Sequence, residues 1–364
     1  MRIAHLVSTF SPQLGGMGSV CAQEASGMAA RGHDVTVFTM QYDKRDYTEH
    51  DKQFSFKIVR LKPWLRYGDA GFVPQVIWHI RNFDILHLHY PFFGGAEWVL
   101  FLKMPIVITW HMEAQLSGLK KIIGGVYNAI WPRLLSFKAK KNITVDQVDF
   151  SNTKWSRIIA KNKLIELSNG VDMRVFTPRS DSAKKDEKNI LFVGNILPVK
   201  RLDLLIQAMP MLKSSGAKLV VVGEGPEMLH CRGLVQQLRL DSRVVFVGLQ
   251  AKKEDMAEYY TSASCVVVPS DYESFSLVAI EAMACGVPMV LSNASGLSRR
   301  NAQAIFFEKG SAASLAQAID KALSLSDQEK KDIANRQIDE VNQKYSLARH
   351  LDALEKIYAS VFVK

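Results

Sequence analysis

Long apolar runs are missing from this chain: no stretch approaches the roughly 18 residues that a membrane-spanning helix requires. Met1-Arg-Ile-Ala opens like a strand, without the basic, apolar and small-residue succession of a secretory signal. The four cysteines, Cys21, Cys231, Cys265 and Cys285, are scattered with no metal-ligand spacing, and three lie in apolar or small-residue segments. They read as buried free thiols of a reducing compartment, so the cytoplasm is the expected location. No recognised nucleic-acid module is present, and no nucleic-acid partner is expected. Acidic residues are absent from the whole of 115–141.

What is present is an ordinary globular balance, 48% hydrophobic and 23% charged, on a 364-residue chain that suits two domains. The formal net charge of +10 is unevenly placed. Residues 1–168 hold 21 Lys and Arg against 13 Asp and Glu, or +8, and the remainder holds 25 against 23, or +2. The first half therefore carries a positive field that favours anionic partners.

Residues 2–9 read as a first strand. The loop Phe10–Gly18 follows, then a helix from about Ser19 to Arg31, then a second strand at Val35–Thr39. A βαβ opening predicts a parallel sheet with helices on its faces. Gly15, Gly16 and Gly18 fall in the first strand–helix loop, where backbone can approach a diphosphate closely. Their spacing is not that of a dinucleotide-binding loop, and Thr39 and Met40 stand where a ribose-binding carboxylate would end the second strand. A nicotinamide-dependent oxidoreductase is thereby disfavoured. Asp84–Pro91 and Pro105–His111 are two further strands, with His87, His89 and His111 at or near the ends where ligands bind in open α/β sheets. His87 and His89 read as structural, whereas His111 follows directly on a buried strand and reads as functional.

Residues 115–141 carry Lys120, Lys121, Arg133, Lys138, Lys140 and Lys141, interleaved with Leu119, Ile122, Ile123, Val126, Tyr127, Ile130, Trp131, Leu134, Leu135 and Phe137. A helical pattern interrupted at Pro132, basic on one side and apolar on the other, suits an anionic membrane surface. A helix pair packed on the core with a solvated basic face fits the same pattern. A second set of strands begins at Asn189, after a polar run from Ser180 to Lys188, and recurs at Lys218, Arg243 and Ser264. Two doubly wound domains facing one another across a cleft is the economical architecture. Tyr345 to about Val361 forms a last amphipathic helix, with Leu351, Leu354, Ile357, Tyr358 and Val361 on one face.

The stretch from Val266 to Pro288 carries the most chemistry. A β-branched run breaks at Pro269, a polar turn follows, and an alanine-rich helix is closed by Gly286 and Pro288. The first amides of that helix have no intrahelical partner and sit at its positive end, so they form a site for phosphate. Glu273 lies in the turn and Glu281 about two turns down the helix, beside that site and not at its centre. A sugar nucleotide, with a diphosphate between two hydroxyl-rich sugars, matches such an arrangement; two solvated glutamates on an ordinary strand–turn–helix is the plainer alternative.

Glu273, Ser274-Phe275-Ser276 and Glu281 to Pro288 resemble the E-x7-E signature of retaining, GT-B-fold glycosyltransferases of family 4, with serines where that family usually has Gly. The loop through Gly15, Gly16 and Gly18, the Thr-x-His ending at His111, the Asn169-Gly-Val-Asp segment and Gly223-Glu-Gly-Pro are similar to further stretches of the family. Lys200 matches the family's lysine, while Asn195 stands for the usual Arg and Arg201 for the usual Gly. The resemblance implies two Rossmann-like domains, 1–168 with a C-terminal helix of about 345–364 on the acceptor side and 169–344 on the nucleotide-sugar side. It implies that Glu273 holds hexose hydroxyls, Glu281 the ribose, and Lys200 with the N–H groups of Phe275, Ser276 and Leu277 the diphosphate. Ser274, Asn195, Arg201 and Gly223 lie beside the donor. Backbone at Val247-Gly-Leu249-Gln would read the base, and His111 would contact the sugar near its anomeric carbon.

The expected activity is retaining transfer of a hexose from a UDP-, GDP- or ADP-sugar to a hydroxyl of a glycan or lipid-linked acceptor. No cofactor is expected, and no metal, since there is no Asp-x-Asp triplet and fixed charges can replace a cation. The expected location is cytoplasmic, peripheral on the inner leaflet through 115–141. A sugar-nucleotide epimerase or hydrolase on the same fold is the alternative enzyme. A non-catalytic binder of anionic lipid or glycan is the alternative of another class.

Overall fold

The computed structural model describes residues 1–12, 15–67, 70–111, 120–146, 150–178, 188–214, 216–250, 252–273, 275–293 and 303–362. Ser274, residues 115–119 of the basic segment and residues 180–187 of the polar run lie outside them. The chain divides into two compact units, Met1–Ser168 with His350–Lys364, and Asn169–Arg349.

Among the described residues the first unit is built on nine strands: β1 (Arg2–Val7), β2 (Asp34–Met40), β3 (Lys57–Leu61), β4 (Leu65–Tyr67), β5 (Ala70–Phe72), β6 (Ile85–Tyr90), β7 (Ile106–Trp110), β8 (Lys141–Thr144) and β9 (Leu164–Glu166). Seven of them form a parallel sheet in the order β3-β2-β1-β6-β7-β8-β9, and β4 and β5 pair as a hairpin. The central strands are buried along their whole length, as expected of a parallel sheet covered on both faces. The helix Gly16–Ala30 covers β1 and β2. The last helix, Leu347–Val361, buries Leu351, Leu354, Ile357, Tyr358 and Val361, and its portion from His350 onward belongs to this unit. It lies tight against the first helix: a Cβ on Gly27 would stand 2.3 Å from Leu351 Cδ1.

Two sequence expectations are corrected here. The first helix begins at Gly16 instead of Ser19, so Gly16 and Gly18 lie within its first turn and only Gly15 precedes it. The basic helix is not interrupted at Pro132 but runs from Lys120 to Lys138 with that proline inside it. The Arg133 guanidinium donates to the Ala129 carbonyl at 2.6 Å, next to the place where the proline removes a ladder donor.

The second unit holds β10 (Asn189–Val193), β11 (Lys218–Val222), β12 (Val244–Gly248), β13 (Cys265–Val268), β14 (Met289–Ser292) and β15 (Ile305–Phe307), all parallel, in the order β12-β11-β10-β13-β14-β15. Alternate residues feed two cores, one on each face. Ile190, Phe192, Leu219, Val221, Cys265 and Val267 enter one, and Leu191, Val222, Val266, Val268, Met289 and Leu291 the other. All four cysteines are buried free thiols. Relabelled by position, this order is the doubly wound 3-2-1-4-5-6, whose connectivity reverses between β10 and β13. In the first unit the same reversal falls between β1 and β6.

Candidate active site

Strand-order reversal draws the loops after β10 and β13 apart to opposite faces, leaving a crevice at their carboxyl ends. Lys200 comes from the first loop and Glu273 from the second, and they meet there. The Lys200 ammonium donates to Glu273 Oε2 at 2.5 Å, and Ser270 Oγ donates to the same oxygen at 3.2 Å. The Lys200 and Glu273 side chains are 27% and 12% exposed, so the pair is open to a ligand. Asn195 sits half-buried in the same loop as Lys200.

Arg201, next to Lys200, adopts the left-handed region with φ 52° and ψ 41°. That conformation suits the Gly of the resembling family and costs an L-residue about 1–2 kcal/mol. The Arg201 guanidinium is held by Asp203 at 3.1 Å and Asp271 at 3.2 Å. Its charge is therefore already neutralised by two carboxylates. Gly223, at φ 142°, lies where a Cβ would stand 2.0 Å from the Gly194 carbonyl oxygen, so close approach of the two loops requires a glycine there.

The helix Leu277–Ala284 begins with Ser276 as its cap, whose Oγ accepts from the Ala279 N–H at 3.3 Å. One early amide is thus already engaged within the cap. Phe275 turns its ring to Tyr345, with ring centroids 5.8 Å apart, and packs against the core. Since the helix starts only at Leu277, Glu281 lies one turn in, nearer the helix start than the sequence spacing suggested. Its Oε2 accepts from the Tyr260 hydroxyl at 2.7 Å. Burial pushes the Glu281 carboxyl up to about 7, against the pull of Tyr260 and the Lys253 charge. Tyr260, Lys253, Ser270 and Asp271 were not singled out from the sequence. Tyr260, Lys253 and Asp271 meet Glu281 and Arg201 only by folding, whereas Ser270 bonds Glu273 within the same turn.

A cavity of about 320 Å³ opens at the ends of β11 and β12, lined by Glu224, Gly225, Arg232, Phe246, Val247 and Gly248 among others. Arg232 lies over the Phe246 ring, 4.5 Å from its centroid. Leu249 follows the cavity wall and is exposed.

In the first unit, Gly15 extends into the helix as its cap residue, and a Cβ on Gly16 would meet open space. Gly18 differs, since a Cβ there would stand 2.7 Å from the Thr9 carbonyl oxygen; it is required for packing of the helix on the loop. His111 follows β7, its N–H bonded to the Tyr90 carbonyl at 3.1 Å. It is half-buried, and burial takes its imidazole down to about 4. Its Nε2 faces His89 Nδ1 at 3.1 Å, and His89 Nε2 faces His5 Nδ1 at 3.0 Å. His5 and His87 are register partners on β1 and β6, and His89 shares their face two residues on. Glu24 and His350, from the two covering helices, close this group. Two of its histidines were noticed from their strands; His5, Glu24 and His350 carry no local signal.

These two reversing parallel sheets are those of the GT-B glycosyltransferases. The structure aligns with that of HepE from Anabaena in complex with UDP and glucose at a TM-score of 0.81, covering 99% of this chain and 100% of that one at 17% identity. Residues 14–174 match the model of "Glycosyltransferase Family 4", and residues 175–339 that of "Glycosyl transferases group 1". An uncharacterized glycosyltransferase of Methanocaldococcus jannaschii is 28% identical over 89% of both chains. The GDP-mannose:cellobiosyl-diphosphopolyprenol alpha-mannosyltransferase of Komagataeibacter xylinus is 26% identical over 82% of this chain and 77% of its own. The chain belongs to the group 1 glycosyltransferases.

Proposed function

We propose that this glycosyltransferase moves a hexose, with retention of configuration, from a nucleoside-diphosphate sugar to a hydroxyl of a lipid-linked or glycan acceptor. The observation that carries the reading is the Lys200–Glu273 pair at the β10/β13 reversal. An ammonium has three donors. One is engaged by Glu273, and the others are available to the diphosphate oxygens as charge builds on the leaving group. Glu273 Oε2 is held by Lys200 and Ser270, which fixes the carboxylate so that it can accept from a hydroxyl of the transferred sugar.

Glu281, oriented by Tyr260, would accept from the ribose, and the cavity beside Val247 and Gly248 would take the base through backbone groups. The amides of Phe275, Ser276 and Leu277 complete the diphosphate site. His111 contacts the sugar as a neutral imidazole. The acceptor attacks from the face the leaving group departs, and the departing phosphate oxygen takes its proton, so no protein nucleophile is needed.

The relatives support the substrate class: the Komagataeibacter enzyme is named for GDP-mannose and a diphosphopolyprenol acceptor, and HepE is seen with UDP and glucose. A peripheral membrane location fits the helix Lys120–Lys138, in which Val126, Ile130, Leu134 and Phe137 are exposed along one stripe beside the exposed Arg133. Among the described residues no helix is long and apolar enough to cross a membrane.

Thermal melting against a panel of UDP-, GDP- and ADP-sugars identifies the donor, because a ligand bound only by the native state raises Tm. NMR of the product then reads the anomer. No shift with any nucleotide would reject the donor site, and an inverted anomer would reject retention alone. Flotation with anionic vesicles at low salt tests the membrane contact, and absence of binding removes it.

A further inference from the structure

The imidazole group of the first unit is larger than any contact through His111 requires. His5, His87, His89 and Glu24 are all buried, three of them from adjacent parallel strands and the fourth from the helix over them. Glu24 Oε2 lies 3.3 Å from His87 Nδ1, 3.7 Å from His89 Nε2 and 4.0 Å from His5 Nδ1, and no hydrogen bond satisfies it. His5 Nδ1 and His89 Nε2 are 3.0 Å apart. Taking one ligand atom from each residue, all four lie within 4.8 Å of one another, the one such group among the described residues. A tetrahedral site with bonds of about 2.0–2.1 Å has ligand–ligand edges of about 3.3 Å. The observed separations bracket that value.

We propose that His5, His87, His89 and Glu24 form a buried, structural site for a first-row divalent cation, zinc(II) above others. Three imidazoles and one carboxylate are a borderline donor set suited to such an ion. Neighbouring groups accommodate the tautomers the site needs. Thr109 Oγ1 lies 2.7 Å from His87 Nε2 and can accept its proton, the tautomer that leaves a lone pair on Nδ1. His111 Nε2 lies 3.1 Å from His89 Nδ1 and can accept its proton, which leaves a lone pair on His89 Nε2. His350 Nε2 donates to Glu24 Oε1 at 3.0 Å while its Nδ1 is held by the Ser168 carbonyl at 2.8 Å, and this orients Oε2 toward the imidazoles. Burial keeps His5, His87 and His89 in the neutral, ligating form.

One proton on Glu24 Oε2 is the competing occupant. It would satisfy Glu24 Oε2 through one contact, at 3.3 Å to His87 Nδ1, whereas a cation bonds all four atoms in exchange for the bond between His5 Nδ1 and His89 Nε2 at 3.0 Å and that of His87 Nδ1 with Tyr358 at 2.7 Å. Two rearrangements accompany the ion besides loss of the 3.0 Å bond between His5 Nδ1 and His89 Nε2. The Tyr358 hydroxyl, 2.7 Å from His87 Nδ1, gives up that acceptor, and His5 carries its proton on Nε2, which has no partner. Binding of the ion must outweigh both. The ion is structural and supplies no step of the transfer.

The test is elemental analysis of protein expressed without a histidine tag and dialysed free of loose metal. One divalent ion per chain is expected, and the cobalt(II)-exchanged protein shows the intense visible bands of a tetrahedral site. His89→Gln and His5→Asn each abolish the ion and the bands with the circular dichroism spectrum retained, while His79→Gln, outside the group, leaves both intact. Parent protein that holds far less than one ion, and takes up none on incubation with zinc or cobalt(II), overturns the site. So does uptake that persists in His89→Gln. Should the variants fail to fold, the chelator-treated parent decides: its Tm falls and zinc restores it, or the Tm is unmoved and the proposal fails.

Discussion

Both units reverse their strand order at one point, β1 against β6 and β10 against β13, and they fill that point in opposite ways. In the second unit the loops beyond the strands carry an ion pair open to solvent, Lys200 with Glu273. In the first, the residues lie within the strands, and His5, His87 and His89 are fully buried beneath two helices. A charge beyond the strand end can meet a ligand at little desolvation cost, whereas an imidazole within the strand is held neutral by burial and serves as packing, hydrogen bonding or ligation. The same topology thus yields a binding edge in one unit and a sealed polar core in the other. What decides between them is a few residues of chain position.

Breaking each side separately measures the difference. The largest effect belongs to Glu24→Ala, which takes from the buried His350 imidazole the carboxylate it bonds at 3.0 Å; a loss of about 3–5 kcal/mol in urea unfolding is expected. Glu24→Gln, which keeps the shape, should cost less, and equal costs would show that packing and not charge is at stake. Next is Lys200→Ala, expected to lower turnover by roughly 100-fold or more, as for loss of a group that stabilises developing charge. Its unfolding midpoint should barely move, since the pair it breaks is partly exposed. Turnover within a few-fold of the parent would remove Lys200 from the mechanism.

The contrast also explains what could be read from the chain. Lys200, Glu273 and Glu281 stand in loops and at a helix start, where local rules say what each stretch does: a β-branched run, a Pro break, a cap, a Gly stop. Their strands were therefore legible to within a residue or two, as β13 shows, while the helix after it starts about a turn later than read. The helix through Pro132 was not, because a proline reads as a break locally while packing and a carbonyl-bonding Arg133 decide globally. His5, Glu24 and His350 lie far apart in sequence and come together through one register pairing and two helix packings. No spacing rule within the chain encodes that. Tyr260 beside Glu281 was unreadable for the same reason.

A smaller effect separates the two carboxylates of the second unit. Burial raises Glu281 to about 7, so the native protein holds a proton there that the unfolded chain releases in the ordinary carboxylate range. The stability this gives is complete below that range and is lost as pH rises through about 7. Glu281→Gln should flatten that part of the pH–stability curve. Ribose hydroxyls are better accepted by the ionised group, so nucleotide affinity should rise as pH passes through about 7 in the parent and stay level in Glu281→Gln. An affinity that falls with pH, or the same slope in both proteins, would detach Glu281 from the ribose.

The smallest effect expected is that of Arg201→Gly, and its smallness is the point. Two terms oppose each other. Glycine relieves the left-handed strain at φ 52°, about 1–2 kcal/mol, but loses the contacts to Asp203 and Asp271, about 0–1 kcal/mol each at this exposure, and frees the unfolded chain. Stability should therefore stay within about 1 kcal/mol of the parent. For activity, the presence of Arg201 beside Asn195 invites the idea that it supplies the charge of the family's missing arginine. Its guanidinium is instead committed to two carboxylates, and withdrawing it toward a phosphate would leave both of them facing the anion. Turnover of Arg201→Gly should accordingly remain within about threefold of the parent. A loss matching that of Lys200→Ala would mean that donor binding breaks the aspartate clamp and turns Arg201 onto the diphosphate, giving the second unit two working cations instead of one.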